Sequence, residues 1–218
     1  MPVPLRDLVP LPDLFFRHGT THGQKHVARV FVHALRLIDA TGFVEERPRL
    51  WACVYLHDLA RRHDGREPDH GQRSWTEYGC RWDLRRLFAR GGVVEADYDA
   101  IRFAVAQHSL GPDPPRTAIH WRLVSLLKDA DALDRVRIGD LDPRYLRNPA
   151  ARSMVDFAHR LFGETVDLFP TGADYFERLW PVALEIENAP VGNRPPGELG
   201  DEPTPLFHRR SPHDDQRS

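Results

Sequence analysis

The sequence predicts an all-α domain over residues 1–187, followed by a tail over residues 188–218 with no core of its own. Three observations carry this. Apolar residues recur at helical spacing, as in Val27, Val30, Phe31, Ala34, Leu35 and Ile38. No run of alternating apolar and polar residues marks a strand. From Asn188 onward the chain is rich in Pro, Gly and charge and poor in apolar residues. Such a composition cannot bury enough surface to order itself, so the tail is expected to be disordered.

Residues 1–20 carry Pro2, Pro4, Pro10 and Pro12 and are expected to be irregular, with Leu11, Leu14, Phe15 and Phe16 packing down. The first helix is expected over about residues 21–41, ended by Gly42. The second covers about residues 49–62. Its Leu50, Ala52, Cys53, Val54, Tyr55 and Leu56 have few polar breaks, which predicts burial on most sides. RHDGREPDHG is a loop broken by Gly65 and Pro68. A third helix is expected over about residues 70–90, closed by Gly91-Gly92, and a fourth over about residues 96–109. After the loop GPDPPR, a fifth runs over about residues 118–137, with the apolar run Leu123, Val124, Leu126 and Leu127. Asp142-Pro143 starts a turn, and two amphipathic helices follow over about residues 153–162 and 173–186.

A chain of 218 residues suits one domain with a sizeable core. Charged residues make up 28% and the net charge is -2, so bulk charge steers the chain to neither nucleic acid nor an anionic membrane. It also lacks the aromatic-basic stripe of a nucleic-acid binder. No stretch approaches a membrane span. The Pro-punctuated start lacks the uninterrupted apolar run of a signal peptide. Cys53 and Cys80 belong to no CxxC and read as thiols in a reducing compartment. A soluble cytoplasmic protein is the expectation. Lys25 and Lys128 are the only lysines. Twelve histidines point to metal chemistry.

His57 and Asp58 stand side by side at the end of an apolar run. A carboxylate beside an imidazole in apolar surroundings is costly unless a metal binds the pair or the two bind each other. His26, His70, His108 and Asp131 each fall near a predicted helix start or end. Helices contribute one or two inward ligands each, so a site built from five of them needs scattered single residues. His22 lies four residues before His26, on the same helix face, but Gly23 puts it in the cap region with a lesser role. Asp129 is the second choice for the last ligand, and Asp134 also competes for it.

The ordered set H…HD…H…H…D lies in the blocks THGQKHVARV, LHDLARRHDGREPDHGQRS, VAQHS and KDADALDRVR. It resembles the HD-domain superfamily of metal-dependent phosphohydrolases over roughly residues 21–147. The resemblance implies an HD-domain helical bundle. It implies that His26, His57, Asp58 and Asp131 hold a first divalent metal. His70 and His108 match the pair that holds a second, with Asp58 bridging, or that contacts substrate phosphate in one-metal members. Mixed imidazole and carboxylate donors suit Mn, Fe, Co, Ni or Zn better than Mg, so one or two such ions are the expected cofactors. The implied substrate is a nucleotide or other small phosphate ester, attacked by a metal-activated water.

Lys25, Arg29, Arg61, Arg62 and Lys128 lie within a few residues of these ligands and are candidate phosphate binders, Lys128 foremost. Arg29 is equally suited to bracing a nearby carboxylate. Asp58, Lys128 and Arg61 are the candidate catalytic residues. Arg61 stands where several phosphohydrolases of the superfamily carry a glutamate acting as general acid or base, so that mechanism does not carry over. Asp64 is a candidate replacement or a cap of the loop's turn. Two other readings fit the same residues. The superfamily includes di-iron oxygenases with the same six-ligand set, and a non-catalytic regulatory module would keep the fold without turnover.

Overall fold

The computed structural model describes residues 3–16, 21–168 and 170–189. Among the described residues there are helices and turns and no strand, as the periodicity predicts. The helices are α1 (Gln24–Thr41), α2 (Arg47–Leu56), α3 (His70–Ser74), α4 (Trp82–Arg90), α5 (Tyr98–His108), α6 (Trp121–Leu133), α7 (Pro149–Arg152), α8 (Val155–Thr165) and α9 (Tyr175–Asn188). Helices α1, α2, α5 and α6 pack on one another at the centre. Helix α3 lies across α5, and α8 and α9 cover α1. One compact unit spans Met1–Asn188. The tail expected to be disordered lies, past Ala189, outside the described residues. No helix among the described residues is long and apolar enough to cross a membrane.

Helix α1 ends where expected. Gly42 adopts φ 73°, and its N–H returns to the Ile38 carbonyl at 2.9 Å. Helix α2 is buried on every side from Leu50 to Leu56, again as expected. It stops at Leu56 rather than near residue 62. The chain leaves it through a buried turn over residues 57–60. Neighbours capture the backbone there: Ala60 N–H donates to Ser74 Oγ at 3.0 Å, and Phe16 N–H donates to the Leu59 carbonyl at 2.9 Å. Full burial of Leu56 and Leu59 contributes about 1.5–3 kcal/mol each. That helps to offset the cost of burying His57 and Asp58 beside them.

The helix expected over residues 70–90 is two helices. Between them lies a π-helical turn, Trp75–Gly79, and Arg81 is extended with ψ 128°. The fifth expected helix ends at Leu133 and tightens into a 3-10 turn, Asp134–Ile138, closed by Gly139 at φ 70°. The short α7 was not visible in the pattern; Pro149 opens it with its ring-fixed φ. In the N-terminal segment Phe15 packs into the core, whereas Leu11 and Phe16 are exposed.

Candidate metal centre

Helix ends deliver the site. His26 is the third residue of α1, His70 the first of α3, and His108 the last of α5. Asp131 lies in the last turn of α6, and His57 and Asp58 occupy the turn after α2. These six residues, chosen from the sequence, come together. Five imidazoles surround the Asp58 carboxylate. Its Oδ2 lies 3.4 Å from His22 Nδ1, 3.4 Å from His26 Nε2 and 3.6 Å from His57 Nε2. Its Oδ1 lies 2.9 Å from His70 Nε2 and 3.8 Å from His108 Nε2. Asp131 Oδ1 stands 3.3 Å from His26 Nε2.

Four of these rings are fixed from behind. His57 Nδ1 donates to the Val54 carbonyl at 2.8 Å, His70 Nδ1 to Glu67 at 2.5 Å and His108 Nδ1 to Val105 at 2.6 Å. His26 Nδ1 donates to Asp134 Oδ2 at 2.8 Å. The acceptors are carbonyls and a carboxylate, so each Nδ1 bears a proton and each Nε2 is the atom turned toward Asp58, with a lone pair to offer when the ring is neutral. The Nε2 atoms of His26 and His57 are 3.2 Å apart, and those of His70 and His108 are 2.8 Å apart. Two lone pairs at that separation repel unless a proton on one ring or a metal ion lies between them. Adjacent ligands bound at about 2.0–2.1 Å to one ion stand about 3 Å apart, so the residues fit a metal. Carbonyl- or carboxylate-anchored imidazoles are also what metal ligation calls for.

The electrostatics divide the rings: burial acts to lower His70, but the Asp58 carboxylate outweighs it and raises it. Burial lowers His57 to about 4 and His22 to about 3, despite the neighbouring Asp58 carboxylate, so both rings are neutral donors. Burial also acts to lower His26, but the Asp131, Asp134 and Asp58 carboxylates outweigh it and raise it to about 9. A proton therefore stands at His26 where a metal would. Burial acts to raise Asp58, yet the surrounding histidines hold it well below the usual carboxylate range.

No family model, curated protein or solved structure matches the chain. The functional reading therefore rests on the geometry and on the motifs.

Asp129 and Asp134, the competitors for the last ligand position, are spent elsewhere. Asp129 accepts the backbone N–H groups of Arg147 and Asn148 at 2.7–3.0 Å. Asp134 receives Arg29 Nε at 2.6 Å and Nη2 at 3.1 Å, in addition to His26. Arg29 is thus a buried brace, and its assignment to substrate is corrected. Lys25 does not face the site either: its Nζ donates to the Val166 carbonyl at 2.7 Å. Arg62 points away, 3.8 Å from Glu77 and over the Phe16 ring. None of these three lines a cavity at the centre.

A cavity of about 450 Å³ opens onto Asp58, His70, His108 and Asp131. Arg61, Arg66, Arg135 and Arg137 line it, as does Asp64. Arg61 Nη2 donates to the Gly65 carbonyl at 2.9 Å, and its Nη1 lies 3.9 Å from Asp58 Oδ1. A second cavity of about 440 Å³ shares His108, Asp131 and Arg135. Lys128 lines this one, with Nζ bound to the Leu110 carbonyl at 2.6 Å and to Asp113 Oδ1 at 2.7 Å. Sequence reasoning missed Arg66, Arg135 and Arg137 as wall residues, and it undervalued His22 and Asp134. The available signal was the spacing DRVR after Asp131, which puts two arginines on the turn that follows α6.

Proposed function

We propose that the chain is a metal-dependent phosphohydrolase acting on a nucleotide or other small phosphate ester. The observation that carries the reading is Asp58. One of its oxygens faces Nε2 of His26 and His57, and the other faces Nε2 of His70 and His108. This suits a carboxylate shared by two divalent transition ions, drawn from Mn, Fe, Co, Ni and Zn. His26, His57, Asp58 and Asp131 would hold one; His70, His108 and Asp58 would hold the other. When bound, such ions lower the pKa of water and offset charge on a phosphoryl group.

The chain's own residues supply the rest. Arg61, Arg66 and Arg137 present guanidinium groups to the cavity and orient phosphate oxygens by charge-assisted hydrogen bonds. Arg61 brings charge rather than a proton acceptor to its position. Asp64, on the same wall, is the carboxylate placed to accept or return a proton. Lys128 and the α6–α7 connection wall the second cavity, which takes the part of the substrate beyond the phosphate. The motif resemblance to HD-domain phosphohydrolases supports the same reading. The free thiols Cys53 and Cys80 support a cytoplasmic setting.

The test is metal analysis of protein purified without added metal, joined to a screen of nucleotides and phosphate monoesters with each metal. Phosphate release is expected, and Asp58→Asn should lose both bound metal and activity. Oxygen consumption by the iron-loaded protein without phosphate release would replace the hydrolase with a di-iron oxygenase.

A further inference from the structure

We infer that His22 is an additional metal ligand, completing through Nδ1 the ion held by His26, His57, Asp58 and Asp131. The inference rests on the metal-centre reading above. His22 precedes α1, separated from it by the extended N-cap Gly23 at ψ -161°. The residue is 9% exposed, and its ring stands edge-on to His26 with centroids 5.7 Å apart. Its Nδ1 lies as far from Asp58 Oδ2 as His26 Nε2 does, 3.4 Å in each case. The donor atoms of His22, His26 and Asp58 all fall within 4.8 Å of one another.

The tautomer is fixed as well. Arg137 Nη2, which can only donate, lies 3.2 Å from His22 Nδ1. That nitrogen therefore carries its lone pair toward Arg137 and the Asp58 carboxylate. A metal ion bound there would take the place of Arg137 at Nδ1 and satisfy the Asp58 oxygen as well. The other four rings point Nε2 inward with Nδ1 anchored behind; His22 points Nδ1 inward, because it approaches from outside the helix.

The chemical class of the ion follows. With His22, this position would draw on five protein donors, in two triads that share His26: His22, His26 and Asp58, and His26, His57 and Asp131. Zinc in such sites is four-coordinate, whereas the other transition ions accept six donors. The position is thereby suited to Mn, Fe, Co or Ni, with one exchangeable site left. The ion held by His70, His108 and Asp58 keeps more open positions, so exchangeable water and substrate phosphate belong on that side.

The experiment is titration of chelator-stripped protein with Mn and, separately, with Zn, followed by calorimetry and by metal analysis after gel filtration. The parent should show two Mn sites. His22→Ala and His22→Phe should each weaken one of them by about tenfold or more and leave the other intact, the intact site also reporting a retained fold. Added imidazole should restore the alanine variant but not the phenylalanine variant, whose ring fills the gap. Variants that match a two-site parent overturn the inference alone and leave His22 with Arg137 as a phosphate contact. A parent that takes up no transition metal overturns the proposed function as well.

Discussion

His26 owes its orientation to Asp134, whose oxygens are divided between the imidazole Nδ1–H and the Arg29 guanidinium. Arg29 holds Asp134 down to about 2 against the opposing effect of burial, so the carboxylate is fully charged where it binds. Asp134→Ala would free His26 to rotate and leave a guanidinium buried without its partner. Metal affinity is expected to fall about 10–100-fold. Stability is expected to fall by about 3–5 kcal/mol, the usual consequence of breaking a buried pair from one side. Metal titration and urea unfolding read the two effects separately. Unchanged metal affinity would mean that packing alone orients His26. None of this was legible in spacing, since Asp129, Asp131 and Asp134 all follow one apolar run. Packing sorts them: Asp129 meets the backbone at residues 147–148, Asp131 meets the centre, and Asp134 meets the back of His26.

Helices α3 and α5 meet at Gly71. A Cβ there would press on the Val105 carbonyl oxygen and come within 2.8 Å of His108 Nδ1. That carbonyl is the acceptor that orients His108. Gly71→Ala should therefore push α3 off α5 and part His70 from His108. A loss of about 1–3 kcal/mol is expected, typical of overpacking. The His70–His108 metal position should weaken while the His26–His57 position survives. Metal stoichiometry and a melting curve decide it; a variant that keeps both ions at parent affinity would show that the helices give way elsewhere. The identity and order of the long helices were legible from apolar stripes and, in α2, from an unbroken apolar run. Their interruptions were not. Leu59 and Ala60 continue the apolar run past the end of α2, and the stop comes from partners far along the chain, Ser74 and Phe16. Trp75 and Tyr78 likewise continue the pattern through the π-helical turn.

The candidate ligands come from α1, the turn after α2, α3, α5 and α6, so bound metal would tie the core helices of the compact unit to one another. Ligand linkage then sets the stabilisation. Metal at about 100-fold over its Kd should add about 2.7 kcal/mol. For a chain of this size that raises Tm by about 5–10 °C. Calorimetric scans with chelator and with added Mn measure it; coincident scans would show that the centre does not couple to folding. At this scale the convergence of His26, His57, Asp58, His70, His108 and Asp131 could be read in advance because the ordered motifs carry it. The cavity walls could not, because the loop carrying Arg61 and Arg66 and the turn carrying Arg135 and Arg137 meet only in three dimensions. The bond from His26 to Asp134 joins residues 108 apart in sequence. Contacts of that range form only after a long loop has closed, so they belong to the late side of the folding barrier. An ion held by them acts on the rate of opening more than on the rate of assembly, and its hold is measured by how long a folded molecule lasts.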